Sequence, residues 1–298
     1  MTDAVSYWVA SHLTGIFEIR DTSKDILQKG SRGAGFSINR GVITTARKAK
    51  DSDCGIFFDG KKMPEIEATV TTQIIELLVP EKDRANLRIE HTLQVPLSSG
   101  YGASAAGAVG AAYAINDLLE LGLTKLDLFQ IAHRAEILTK SGLGDVIGLY
   151  QGGFEIRLRE GAPGVGETTS YNNPDEWKVA TVHLGTLPTS EVLSNHHKRK
   201  MVNEAGREVI SELLLSPDFT NFIKQTVIFT TKVNLWSSML RNCIRNLPKS
   251  VIGSQIMLGE AFFIFYHEDS DLEDITIHYS QIHPETICYN TVIKREER

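Results

Sequence analysis

Near one-third of the way along the chain, Pro96 to Gly107 read Pro-Leu-Ser-Ser-Gly-Tyr-Gly-Ala-Ser-Ala-Ala-Gly. Without a Cβ, Gly100 and Gly102 let the backbone take positive φ and press close to a ligand. A helix beginning near Ser104 would turn its free backbone N–H groups and its positive dipole end back on the loop. That arrangement suits an oxyanion, above all a phosphate. Pro96, Ser98, Ser99, Gly100, Gly102, Ala103, Ser104 and Ala105 are therefore the candidate nucleotide-phosphate cradle. The loop lacks the Lys-Ser/Thr ending of a P-loop. Close packing of two helices is the competing use of such a small-residue helix start.

Four further clusters hold residues able to do chemistry. His12 and Glu18 flank a glycine in Ser11-His-Leu-Thr-Gly-Ile-Phe-Glu, where a surface turn is the alternative. In Gly30-Ser-Arg-Gly-Ala-Gly, three glycines surround Ser31 and Arg32; such a turn could hug a ligand while the guanidinium forks onto a carboxylate or phosphate. His133 and Glu136, three apart on a helix, look into the same space. A carboxylate facing a phosphate loop is what magnesium needs, although a solvated salt-bridged face is the commoner meaning of the pair. Ser141-Gly-Leu-Gly-Asp145 precedes Gly152-Gly-Phe-Glu-Ile-Arg157. Asp145 is either a helix cap or the carboxylate that accepts a hydroxyl proton in phosphoryl transfer. A last glycine-containing turn, Gly253 to Ala261, leads into an apolar strand.

The elements that must position these groups follow from pattern. Residues up to 95 read as strands and turns, with β-branched runs at Gly41-Val-Ile-Thr-Thr-Ala and Ala68-Thr-Val-Thr-Thr-Gln-Ile-Ile, and an alternating strand from Leu87 that ends at Pro96. Ala105 to Leu121 and Lys125 to Thr139 read as helices, and Phe154 to Leu158 as a strand. The Gly/Pro-punctuated stretch from 161 to 176 is the natural connector. Beyond it come a strand over Trp177 to Leu184, helices over Asn195 to Leu214 and Asp218 to Leu240, and strands near Ala261 to Tyr266 and Ile275 to Tyr279. His196-His197, in a basic stretch ending at Lys200, reads as a solvated helix face.

Composition narrows the partners. The 298 residues are 42% hydrophobic and 23% charged, with a formal charge of −6, so no basic surface for nucleic acid or anionic membrane is expected. Three scattered cysteines fit neither a disulfide framework nor a zinc site. No signal-like or bilayer-spanning run is present, and the expected location is the cytoplasm.

With these pieces in order, the chain resembles the GHMP kinases. Pro96 to Ala105 matches their phosphate motif Pro-x-x-x-Gly-x-Gly-Ser/Ala-Ser-Ala, Gly253 to Ala261 is similar to their C-terminal glycine-rich motif, and Asp145 sits where many carry a catalytic aspartate. Within that superfamily it is most similar to the archaeal pantoate kinase family, through Ser11 to Glu18, the Gly30 to Gly35 turn, His133-Arg-Ala-Glu136 and Gly-Leu-Gly-Asp145 with Arg157. It departs from that family in having Ala10-Ser11, where Pro-Gly is usual, before His12, and from the superfamily in having Tyr101 where leucine is common.

The resemblance implies an α+β kinase of two domains. Residues 1–165 would form a ribosomal S5 domain 2-like unit carrying the phosphate loop, and 166–298 a ferredoxin-like unit, with the active site between them. It implies ATP held along Ser99 to Ser104, Mg2+ on Ser104 and Glu136, and Asp145 as the base. Arg157, Ser31, Arg32 and His133 would clamp the carboxylate of pantoate, and His12 would lie on the substrate side. The expected product is pantoate phosphorylated on its 4-hydroxyl, early in the archaeal route to coenzyme A, made by a homodimer. Another small hydroxylated substrate (shikimate, homoserine, an isoprenoid precursor) and a catalytically silent nucleotide-binding regulator are the alternatives.

Overall fold

In the computed structural model the described residues are 4–171, 177–186, 194–267 and the backbone of 287–291. Two long strands, β1 (Ala4–Arg20) and β2 (Gly30–Lys48), form an antiparallel pair whose register shifts on either side of the Ser11–Thr14 segment. Short strands β3 (Gly55–Phe58) and β4 (Lys61–Met63) follow, then helices α1 (Thr69–Leu78) and α2 (Glu81–Arg84), and strand β5 (Leu87–Leu93). Helices α3 (Ala103–Leu118), α4 (Lys125–Thr139) and α5 (Asp145–Gln151) lead to strands β6 (Phe154–Arg159) and β7 (Glu167–Tyr171). The first sheet runs β4-β3-β5-β2-β6-β7, with β1 beside β2.

Strand β7 still pairs with β6. The chain thus changes sheets between Tyr171 and Lys178, a few residues past 165, because the polar stretch after Gly166 adds a last edge strand before it leaves.

The Ala68 to Ile75 run, expected as a strand, is helix α1. Its β-branched residues carry only a weak local preference, which a buried stripe overrides. Val70, Thr71, Ile74 and Leu78 fall on one face, and that face packs against α3 and α4. Helix α3 is almost entirely buried, and its alanines and glycines let it lie tight on β1 and β2. A capping box at Thr124 and Asp127 starts α4, and Lys140 in the left-handed region ends it.

The second sheet has the antiparallel order β11-β8-β10-β9, built from β8 (Lys178–Gly185), β9 (Ile252–Gln255), β10 (Glu260–Tyr266) and β11 (Ile287–Thr291). Counted over the described strands of this half, that is 4-1-3-2, the ferredoxin-like order. Helices α6 (His196–Leu215), α7 (Phe219–Val233) and α8 (Ser238–Arg245) connect β8 to β9. Asn234 takes left-handed φ and splits the single helix expected over Asp218 to Leu240. The strand expected near Ile275 to Tyr279 lies outside the described residues.

The halves share one core. Phe36 of β2 meets Phe219 and Phe222 of α7 and Phe263 and Phe265 of β10, with ring centroids 5.8–6.1 Å apart. Among the described residues no helix is long and apolar enough to cross a membrane.

Candidate active site

Strand β5 delivers the chain to Pro96, and the loop that follows is bent by left-handed residues: Ser98 at φ 55°, Gly100 at 82° and Gly102 at 63°. Ser99 turns inward, its hydroxyl donating to the Leu97 carbonyl at 2.9 Å, so it shapes the loop rather than facing a ligand. Gly102 is the N-cap of α3, with no side-chain cap bond. The N–H groups of Ala103, Ser104 and Ala105 consequently have no acceptor within the helix. Tyr101 is buried in the core.

A turn of the second half closes over this loop. Gly259 lies on the Ser99 carbonyl with no room for a Cβ, and the Met257 N–H donates to the Thr14 carbonyl at 3.1 Å. The Gly253 to Ala261 segment thus packs beside the phosphate loop.

Just inside α3, the Ser104 hydroxyl donates to Glu136 Oε1 at 2.6 Å, and the Ser141 hydroxyl donates to the same oxygen at 2.7 Å. Burial pushes the Glu136 pKa up to about 7, with the nearby Asp145 charge adding to the rise against the two hydroxyls. No cation pairs with Glu136 among the described residues.

Asp145 is the first residue of α5 and one-quarter exposed. His12 Nδ1 lies 2.9 Å and the Thr14 hydroxyl 3.3 Å from its Oδ1, leaving Oδ2 without a partner. Burial alone would raise its pKa, but His12, Arg157 and Thr14 outweigh that, and the net displacement is downward. Behind Asp145, His12 Nε2 is 3.0 Å from Glu155 Oε1, which also accepts from the Arg157 guanidinium at 2.6 Å.

The sequence-derived residues divide accordingly. A cleft of about 380 Å3 is lined by Pro96, Ser98, Gly100, Gly102, Ala103, Ser104, Glu136, Asp145 and Ser31. Arg32 is elsewhere: it donates to the Leu158 carbonyl at 2.9 Å and to Glu18 at 3.3 Å. Neighbouring strand residues face opposite sides, so once Ser31 faces the cleft Arg32 cannot. His133 is buried midway along α4 beside the Ile26 and Lys29 carbonyls. Burial drops its pKa to about 4, with those carbonyls opposing the fall. His12 and Arg157 are fully buried behind the cleft wall. The Gly30 to Gly35 segment is strand, not a ligand-hugging turn. A Cβ on Gly35 would sit 2.7 Å from the His12 ring, and one on Gly33 2.8 Å from the Arg157 guanidinium. The same Cβ atoms would strike the Ile16 and Leu13 carbonyls of β1, so these glycines make room for the neighbouring strand as well as for the side chains.

Sequence reading passed over Thr14, Ser141 and Glu155. Glu155 carried the one available signal, an acidic residue two before Arg157 on an alternating strand and so on the same face. It also passed over the far end of the cleft, where Val42, Phe58, Val70 and Leu93 give an apolar lining. There His91 stacks on Phe58 at 4.9 Å, and its two ring nitrogens are met by the Thr44 and Thr71 hydroxyls, each at 2.9 Å.

A phosphate loop at a helix start, a buried carboxylate beside it and an ionised aspartate across the cleft define a small-molecule kinase. The GHMP kinases N terminal domain matches residues 69–153. The pantoate kinase of Thermococcus kodakarensis is 32% identical over 267 residues, covering 88% of this chain and 87% of that one. That of Methanocaldococcus jannaschii is 31% identical, covering 88% and 93%. A solved structure described as a phosphotransferase related to the CoA biosynthesis pathway superposes with a TM-score of 0.86 at 30% identity, covering 98% of this chain and 97% of that one. The chain belongs to the pantoate kinase family of the GHMP kinases.

Proposed function

We propose that this chain transfers the γ-phosphoryl group of ATP to the 4-hydroxyl of (R)-pantoate, giving 4-phosphopantoate on the archaeal route to coenzyme A. One observation carries the reading: the cleft has an apolar end, a phosphate loop and an ionised carboxylate in series, in a chain similar to pantoate kinases over 88% of its length. Val42, Phe58, Val70 and Leu93 offer the base an apolar seat, and the start of α3 offers N–H groups to the phosphates.

Ser104 and Glu136 fit magnesium. Their oxygens are hard donors, and Glu136 is a buried carboxylate lacking a counter-charge. Two protein ligands beside substrate phosphates and water is the usual economy of that ion. Bound there, magnesium would neutralise charge developing on the phosphoryl oxygens.

Asp145 orients the 4-hydroxyl through Oδ2 and takes its proton as the new P–O bond forms. Ser31 offers its hydroxyl to the carboxylate of pantoate. A Cβ on Gly144 would collide with Ser31 Oγ and lie 3.0 Å from Arg157 Nε, an N–H with no partner. Arg157 thus backs the same spot with positive charge. The reading also includes a homodimer, measurable by light scattering, and a cytoplasmic location.

The test is ADP release with ATP and magnesium on pantoate, shikimate, homoserine and mevalonate. Turnover on pantoate alone is expected, and Asp145→Asn should lose about 10²–10⁴-fold in kcat. Turnover on another acceptor would move the substrate and keep the chemistry. Silence on all four would return the regulator.

A further inference from the structure

The four side chains Asp145, His12, Glu155 and Arg157 form one continuous line from the cleft into the interior. His12 is fully buried, with carboxylate oxygens 2.9 Å from Nδ1 and 3.0 Å from Nε2. A neutral imidazole carries one N–H and can donate to only one of them. Glu155 is paired with the Arg157 guanidinium 2.6 Å away, which is equally buried and never loses its proton in a protein. An imidazolium, which donates from both nitrogens, satisfies both oxygens, and the line then alternates in sign: carboxylate, imidazolium, carboxylate, guanidinium.

The fold makes room for this ring on purpose-sized ground. Register shifts bracket Ser11–Thr14 in β1, as bulges do where a strand must re-aim a side chain. A Cβ on Gly35 of β2 would lie 2.7 Å from the ring, and one on Gly148 of α5 2.6 Å from it. The ionisable groups facing it are Asp145 from α5 and Glu155 from β6, with Arg157 behind; β2 and the start of α3 present glycine backbone.

We infer that His12 is a positioning residue, a permanently charged imidazolium anchored by Glu155 and Arg157, which grips Asp145 by Oδ1 and so aims Oδ2 at the acceptor hydroxyl. It touches neither substrate. The inference rests on Asp145 being the proton acceptor. It assigns the charge of Arg157 two duties, steadying this line and backing the Ser31 corner.

Two experiments test it. In uniformly 15N-histidine-labelled enzyme without substrates, the His12 ring should show two protonated nitrogens from pH 6 through pH 9. A ring that reads neutral at pH 8 overturns the inference, whatever the enzyme acts on. In kinetics with the acceptor that turns over, His12→Gln and Glu155→Gln should each lower kcat about 10-fold or more while KM for both substrates stays within about 3-fold. On the Asp145→Asn background the same changes should lower kcat no further. An equal loss on both backgrounds, or a loss carried by KM, overturns it. A variant that does not fold leaves the decision to the wild-type ring signals, and failure of pantoate as substrate leaves them untouched.

Discussion

Glu136 and Asp145 share one cleft and are pushed in opposite directions, which gives two carboxylates different work at one pH. Burial raises Glu136 to about 7, whereas His12, Arg157 and Thr14 overcome burial to hold Asp145 low. A proton on Glu136 competes with a cation. The acid limb of kcat/KM for ATP should therefore lie near pH 7 at low magnesium and move to lower pH as magnesium is raised; a limb indifferent to magnesium would assign it elsewhere. Stability runs the other way. A carboxyl whose folded pKa lies above its unfolded value stabilises fully below the unfolded value, and that contribution is lost as pH rises through the folded pKa. Between about pH 4.5 and 7 Glu136 should lower the melting temperature of the ligand-free protein as pH increases, and Glu136→Gln should flatten that slope. Both carboxylates were legible, Glu136 by its helical spacing from His133 and Asp145 by the glycine break just before it. Arg32 misled because a glycine-flanked arginine looks like a loop clamp, and only strand alternation shows that it and Ser31 must part.

Helix α1 and the Met257–Gly259 turn do the positioning at the level of elements. His91 reaches from β5 to Thr71 of α1 and Thr44 of β2, tying a helix to two strands at the apolar end of the cleft. It is held neutral, with its pKa lowered to about 4 by burial. Thr71→Val should cost about 1–3 kcal/mol in urea unfolding by orphaning a buried ring nitrogen. An unchanged midpoint would show the bond to be dispensable. Gly259→Ala drives a methyl into the Ser99 carbonyl and must shift the phosphate loop. It should lower kcat/KM for ATP about 10²-fold with the far-ultraviolet circular dichroism intact. Neither contact can be read along the chain, since the partners lie far apart in sequence and the β-branched run of α1 argues locally for a strand.

The aromatic cluster around Phe36 makes the two halves one folding unit. Phe36→Ala should cost about 3–5 kcal/mol, as for other buried aromatics emptied to alanine. Calorimetry should show one transition for wild type, and two separated peaks would mean the halves unfold independently. The cleft needs this rigidity, because nearly all its lining comes from one half and the Met257–Gly259 turn pressed on the phosphate loop comes from the other. The sequence by itself determined a glycine-bearing phosphate loop at a helix start, and its motifs, through their resemblance to the GHMP kinases, pointed to the kinase class, the α+β architecture and the roles proposed for Ser104, Glu136 and Asp145. The loop rests on local chemistry, glycines that free the backbone and a helix start that binds anions; the rest came from matched motifs. Tertiary structure alone decided which glycines line the cleft and which press against neighbouring backbone and side chains, that Arg32 and His133 stay outside the cleft, and that His12, Glu155 and Arg157 stand in line behind Asp145. Burial and charge pairing arise between strands distant in sequence, where the register of one sheet, and no local preference, sets which side chains meet.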